Sequence, residues 1–191
     1  MKAKIVFLIE LREAWTARIG RGALASFGRL DVALRAINAA LDTPVAYEVS
    51  VKLALEGPPS PPVSIEVDGK LAKPIAGEQF FKTVLNSLYA GGQVAGFSIK
   101  KQGFMDQILE AKNKGYSLYW LEENGRNIRG TEIHPPALFI LGDHKGFSVQ
   151  AEKMLRKLKV PRVSLGPLPY FTSHCIIIVL EELIRRGILD C

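Results

Sequence analysis

Apolar and polar residues alternate along this chain in short blocks, and the period of each block predicts an element. Lys4 to Glu10 is rich in Ile, Val and Phe and predicts a strand. Leu30, Leu34, Ile37 and Leu41 share one helical face, so Arg29 to Leu41 predicts an amphipathic helix that Pro44 ends. Between these two elements, Leu11 to Gly28 mixes arginines with glycines and predicts a long loop, a length that usually carries a job. Val45 to Leu55 alternates and predicts a second strand. Val63 to Val67 and Leu71 to Lys73 flank Asp68-Gly69, a hairpin signal. Glu78 to Tyr89 predicts a helix with Phe81, Leu85 and Leu88 inward, and Phe97 to Lys101 a short strand.

From Phe104 onward the alternation of elements is regular. Helices are predicted over Phe104 to Lys112 and Ser148 to Lys159, and strands over Ser117 to Leu121, Ala137 to Leu141 and Arg162 to Leu165. Asn124-Gly125 is a second hairpin signal. A last helix is predicted over Thr172 to Arg186, with Thr172 or Ser173 as its cap. Its first half, Cys175 to Leu180, is apolar on every side and so reads as enclosed. Its second half has i,i+4 pairs, Glu181 with Arg185 and Glu182 with Arg186, and reads as solvated. Strands alternating with helices indicate an α/β class with a mainly parallel sheet, and no linker divides the 191 residues, which read as one domain.

Composition narrows the classes. With 48% hydrophobic and 23% charged residues the chain can build a core and is not globally disordered. The run from Cys175 to Leu180 falls far short of the roughly 20 residues that span a bilayer, so a soluble cytoplasmic protein without a membrane partner is expected. Cys175 and Cys191 form no CxxC pair and have no His at zinc-like spacing, and His134, His144 and His174 form no recognisable set, so no metal is expected. A cystine between Cys175 and Cys191 has no motive in a reducing compartment. The formal charge of +6 is compatible with RNA without requiring it.

Three segments carry candidate chemistry. In Phe139-Ile140-Leu141-Gly142-Asp143-His144-Lys145-Gly146 a buried strand ends at Leu141 and the chain turns at Gly142, where ligands of α/β proteins gather; on local pattern alone an ordinary strand-to-helix turn with a polar pair is the plainer reading. Ser164-Leu165-Gly166-Pro167-Leu168-Pro169-Tyr170 is apolar yet too broken by two prolines and a glycine for regular structure, and could cover the core or offer its backbone to a flat heterocycle. In Gly28-Arg29-Leu30-Asp31 the acid sits in the first turn of a helix, where the helix dipole and Arg35 would account for it; alternatively Arg29 meets a phosphate and Asp31 a target base. The cluster Lys153, Arg156, Lys157, Lys159 and Arg162 reads as a solvated face before it reads as an RNA patch.

Taken in order, Gly28-Arg29-Leu30-Asp31, the prolines from Pro58 to Pro62, Tyr119 to Gly125, Leu141 to His144 and Ser164 to Leu168 ahead of His174-Cys175 resemble the archaeal tRNA (pseudouridine-54 N1) methyltransferases of the SPOUT superfamily. The likeness covers nearly the whole chain. It implies a mainly parallel sheet flanked by helices with a C-terminal trefoil knot, a homodimer and a tRNA partner. It implies S-adenosylmethionine held by Leu121, by Leu141 and Gly142, and by Ser164, Leu165, Gly166, Pro167 and Leu168 leading into Cys175. Asp31 and Arg29 fall on the substrate side, Asp31 to accept or orient the N1 proton and Arg29 to hold a phosphate or the base. The same chemistry on ribosomal RNA, a non-catalytic cofactor- and RNA-binding protein, and a small-molecule α/β enzyme are the other readings.

Overall fold

The computed structural model describes residues 4–190; Cys191, and with it any Cys175–Cys191 bond, lies outside them. Seven strands form one sheet in the order β4-β3-β2-β1-β6-β5-β7. They are β1 (Ile5–Leu11), β2 (Val49–Leu55), β3 (Val63–Asp68), β4 (Phe97–Lys100), β5 (Ser117–Asn127), β6 (Ala137–Gly142) and β7 (Arg162–Ser164). Five helices join them: α1 (Leu30–Leu41), α2 (Gly77–Tyr89), α3 (Phe104–Asn113), α4 (Val149–Lys157) and α5 (Thr172–Arg185). The pairs β1–β2, β1–β6, β5–β6 and β5–β7 are parallel, while β3 and β4 add antiparallel strands at one edge.

The strands at the centre have no polar face because both faces are covered. Ile5, Phe7 and Ile9 of β1 enter a core shared with α1, α2 and α5, whereas Val6 and Leu8 enter one shared with α3 and α4. Phe7, Phe139 and Tyr119 stack across three neighbouring strands at centroid distances of 5.8 and 5.3 Å. Each such buried ring contributes roughly 1.5–3 kcal/mol. The loop from Arg12 to Gly28 is docked rather than loose. Thr16 Oγ1 donates to Gly57 O at 2.9 Å and accepts from Ser60 N–H at 2.8 Å, and Ile19 exchanges two hydrogen bonds with the Asn86 amide.

Several local expectations are corrected. Neither hairpin forms. Asp68 N–H and Gly69 N–H donate to Gly96 O and Val49 O, so β3 is flanked by β2 and β4 and Leu71 to Lys73 is not a strand. At Asn124-Gly125 the chain bulges and then continues the same strand, since Leu121 and Arg126 both pair with Val163. Gly125 lies so close to β7 that a Cβ would sit 2.5 Å from Val163 N. The strand expected from Val45 begins at Val49, after a 3-10 turn over Ala46–Glu48.

The last helix departs further. Phe171 is its cap residue, and Thr172 Oγ1 instead donates to Gly142 O at 3.1 Å. It is not enclosed all round, because Ile177 is 45% exposed. Nor is its second half simply solvated. Glu182 is buried, accepts from Arg185 and Arg186, and Arg186 Nη1 donates on to Thr131 O at 2.7 Å. The two guanidiniums, Arg185 foremost, hold the Glu182 carboxyl below its ordinary value of 4.5. A depressed folded-state value means that this contribution is present above pH 4.5 and fades as pH falls through the lowered value. Glu182→Gln is therefore expected to lower the melting temperature by several degrees at pH 7, with the gap to the parent closing in acid. Thermal melts at pH 7 and pH 3 check this, and a gap that persists unchanged in acid would count against the ion pair as its cause.

Candidate active site

The parallel strands β1, β5, β6 and β7 all end on one side of the sheet, and a cleft of about 680 Å³ opens there. This is where α/β sheets gather ligands, because loops diverge from the strand ends. Leu121 of β5, Leu141 and Gly142 of β6, Val163 of β7, Leu165, Gly166 and Leu168 of the following loop, and Cys175 of α5 line it. Of the residues singled out from sequence, Arg29 also lines the cleft, while Ser164, Pro167 and Asp31 do not. Ser164 stands behind the wall. Its Oγ bonds Gly166 O at 3.2 Å and accepts from Gly166 N–H at 3.3 Å, shaping the loop from within.

Asp31 also works from behind. Arg29 grips it with two hydrogen bonds, Nε to Oδ1 at 2.9 Å and Nη2 to Oδ2 at 3.0 Å, and Arg35 Nη2 lies 3.0 Å from the same Oδ2. The Arg29 hydrogen bonds, backed by the charges of both arginines, hold the Asp31 carboxyl below its ordinary value despite partial burial. Arg29 caps α1 in the left-handed region, φ 62°, a conformation uncommon outside glycine and often found at sites.

Asp143 organises the floor. Its side chain is 2% exposed and accepts Arg12 N–H at 3.1 Å and Lys145 N–H at 2.7 Å, tying the end of β1 to the turn after β6. Glu10 does the same for α4, accepting Ser148 N–H at 2.8 Å and Ser148 Oγ–H at 2.6 Å; burial nevertheless pushes its carboxyl up. Cys175 is half-buried, its thiol pushed up to about 11 by burial and facing Tyr170 O. It is a neutral, unreactive thiol at physiological pH.

The chain segments at the cleft differ in sign. Arg29 and Arg35 come from α1, on one face of the sheet; Glu122, Glu123 and Glu152 come from the β5 bulge and α4, toward the other. Arg35, the three glutamates and Thr172 were not singled out from sequence as site residues. Arg35 carried a usable signal, its i,i+4 relation to Asp31, which pointed equally to a plain helix pair. The basic cluster near α4 is partly structural: Arg156 and Arg162 lie 5.5 and 6.0 Å from the Trp120 ring and pair with Glu152 and Glu122. His174 meets Phe171 edge-on, with ring centroids 5.4 Å apart.

Comparison with known proteins places this geometry. Residues 6–188 match the family described as "Putative SAM-dependent RNA methyltransferase". A tRNA (pseudouridine(54)-N(1))-methyltransferase of Pyrococcus abyssi is 32% identical in an alignment 205 positions long, gaps included, that covers 96% of this chain and 98% of the relative. One from Methanopyrus kandleri is 31% identical over 182 residues, covering 91% and 89%. Among solved structures, Archaeoglobus fulgidus Nep1 bound to S-adenosylhomocysteine superposes with a TM-score of 0.67 at 17% identity, covering 98% of this chain and all of that one. A ribosomal RNA small subunit methyltransferase E from Neisseria gonorrhoeae gives 0.53 at 13% identity, covering 95% and 65%. At such identities these two likenesses concern the fold.

Proposed function

The chain belongs to this family of S-adenosylmethionine-dependent RNA methyltransferases, and from that premise we propose that it methylates N1 of pseudouridine 54 in tRNA, the activity its relatives are named for. The observation that carries the reading is the cleft in which apolar strand-end loops meet the Arg29–Asp31–Arg35 group. A tRNA substrate implies a cytoplasmic enzyme.

The cleft suits the cofactor. Its volume lies in the range of about 300–1,000 Å³ usual for small-ligand sites. Leu121, Leu141, Leu165 and Leu168 offer apolar faces to a flat heterocycle, and Gly142 and Gly166 leave backbone bare at the wall. Ser164 and Pro167 support that loop from outside the wall. Cys175 serves as packing, since a thiol held neutral is no nucleophile. When bound, S-adenosylmethionine supplies an electrophilic methyl group on a sulfonium. The chain's own part is to bring the target N1 to it and exclude water, a contribution of proximity and orientation that needs no protein-bound intermediate. Arg29 holds a phosphate or the target base. A carboxylate kept ionised by two guanidiniums is a weak proton acceptor, so Asp31 is assigned to fixing Arg29 rather than to removing the N1 proton.

The reading includes a trefoil knot and a homodimer. The path of the chain supports the first: the segment after β7 passes the end of β6, where Thr172 bonds Gly142 O, and α5 then returns to α1. Exposed Leu168, Phe171 and Ile177 support the second, an apolar group beside the cleft that a second copy would cover.

The test is transfer of labelled methyl from S-adenosylmethionine to two tRNA transcripts that differ only in uridine or pseudouridine at position 54. Label on the pseudouridine transcript alone is expected. Label on neither, with cofactor binding intact by calorimetry, would move the target to another RNA.

A further inference from the structure

Cations from three segments gather at and beside the cleft, and only Arg29 has a role toward the substrate so far: Arg29 and Arg35 line it, while Arg12 and Lys145 stand next to Asp143, which lines it. Arg35 lines the cleft from the second turn of α1, its side chain 52% exposed. Arg12 comes directly after β1. Its backbone N–H is held by the buried Asp143, and its guanidinium donates to a carbonyl, Lys145 O, at 3.4 Å rather than to a carboxylate. Lys145 itself is matched by Glu13. Asp143 also acts electrostatically on Arg29, so it is the buried carboxylate common to Arg12 and the Arg29–Asp31–Arg35 group.

The charges do not cancel. Two arginines share Asp31, and with Arg12 and Asp143 included three guanidiniums face two carboxylates, which leaves one net positive charge. A guanidinium has five N–H donors in a planar fork. Arg35 gives Asp31 one contact from Nη2, and Arg12 gives one from Nη1 to Lys145 O, so most of each fork remains for another acceptor. Phosphate oxygens are acceptors that a fork can grip in pairs. A base inside a folded RNA must leave its stack to reach the cleft, and the backbone on either side must then rest on the rim.

We propose that Arg12 and Arg35 hold two phosphates of the RNA strand that carries the target nucleotide, one on each side of the Asp143 turn. The inference rests on the RNA methyltransferase reading of the same cleft. It gives the arginine-containing loop after β1 a role in binding the substrate backbone. It also separates Arg35, as a backbone contact, from Arg29, which serves at the target itself.

Binding of unmodified tRNA to the full chain, followed by fluorescence anisotropy across a salt series, tests it. Each phosphate contact contributes about one unit to the slope of log affinity against log salt. Arg12→Gln and Arg35→Gln should each flatten the slope by about one unit and the double variant by about two, while Arg12→Lys and Arg35→Lys keep it. Cofactor affinity of the Arg12→Gln chain, read by calorimetry, should not move. Slopes equal to the parent's in both glutamine variants overturn the clamp. A parent whose tRNA binding ignores salt overturns the RNA reading instead, so the two failures are distinct. Arg12 does not touch Asp31, and Arg12→Gln keeps the test decisive even if loss of Arg35 disturbs α1.

Discussion

Asp31→Asn should lower the methyl-transfer rate at saturating RNA by about 100-fold, the scale expected when a positioning contact is lost and reacting groups shift by an ångström. The same factor should appear at every pH from 5 to 9. Asp31 has a depressed carboxyl, so it is already ionised throughout that window and no limb of the rate profile belongs to it. The asparagine keeps the shape but carries no charge to draw two cations, and its amide oxygen can keep only one of the two bonds that fix Arg29. A double-mutant cycle with Arg29→Gln separates positioning from proton removal. If Asp31 acts only through Arg29, the double variant should be no slower than the worse single one. Losses that multiply would give Asp31 an independent role, as a proton acceptor. An Asp31→Asn enzyme as fast as the parent would remove it from the site altogether.

The legible parts of this molecule are those where one local signal had one outcome. Lys4 to Glu10 reads as a strand and all but its first residue is one, and Phe81, Leu85 and Leu88 read as facing inward from a helix and do so. The glycine turn after β6 announced a strand end, and the cleft is there. Turn signals were less decisive, because they specify a bend without fixing the path of the chain beyond it. Asn124-Gly125 bends β5 outward, but Val163 lies ready to resume pairing, so the strand continues. Asp68-Gly69 bends the chain toward Val49, already set beside it by β2. Apolar content misled at α5 for a related reason. Pattern states that Ile177 prefers burial, not that this chain alone supplies the cover. The buried Glu182 was hidden because an i,i+4 pair looks the same in sequence whether water or Ile128 and Thr131 surround it.

At the cofactor wall, the strongest effect is expected from one methyl group. Built on Gly142, a Cβ would lie 2.7 Å from the carbonyl carbon of Gly146, 2.9 Å from its Cα and 3.0 Å from its oxygen. These are backbone atoms of a turn closed by Gly146 N–H to Asp143 O at 3.0 Å, so no side chain can rotate to make room. The turn must move instead. It carries Asp143, which anchors Arg12, and it adjoins Gly142 O, which anchors Thr172 at the start of α5. Overpacking of this kind costs about 1–3 kcal/mol. If that cost falls on the bound geometry, Gly142→Ala should weaken S-adenosylmethionine by roughly tenfold to 100-fold. Calorimetry reads the affinity directly, and the salt slope of tRNA binding shows how far Arg12 has been displaced. Because Gly142 touches the substrate rim only through that turn, the cofactor should suffer more than the RNA. An unchanged cofactor affinity would mean that the turn yields at no cost, and the wall of the site would then have to be sought away from the end of β6.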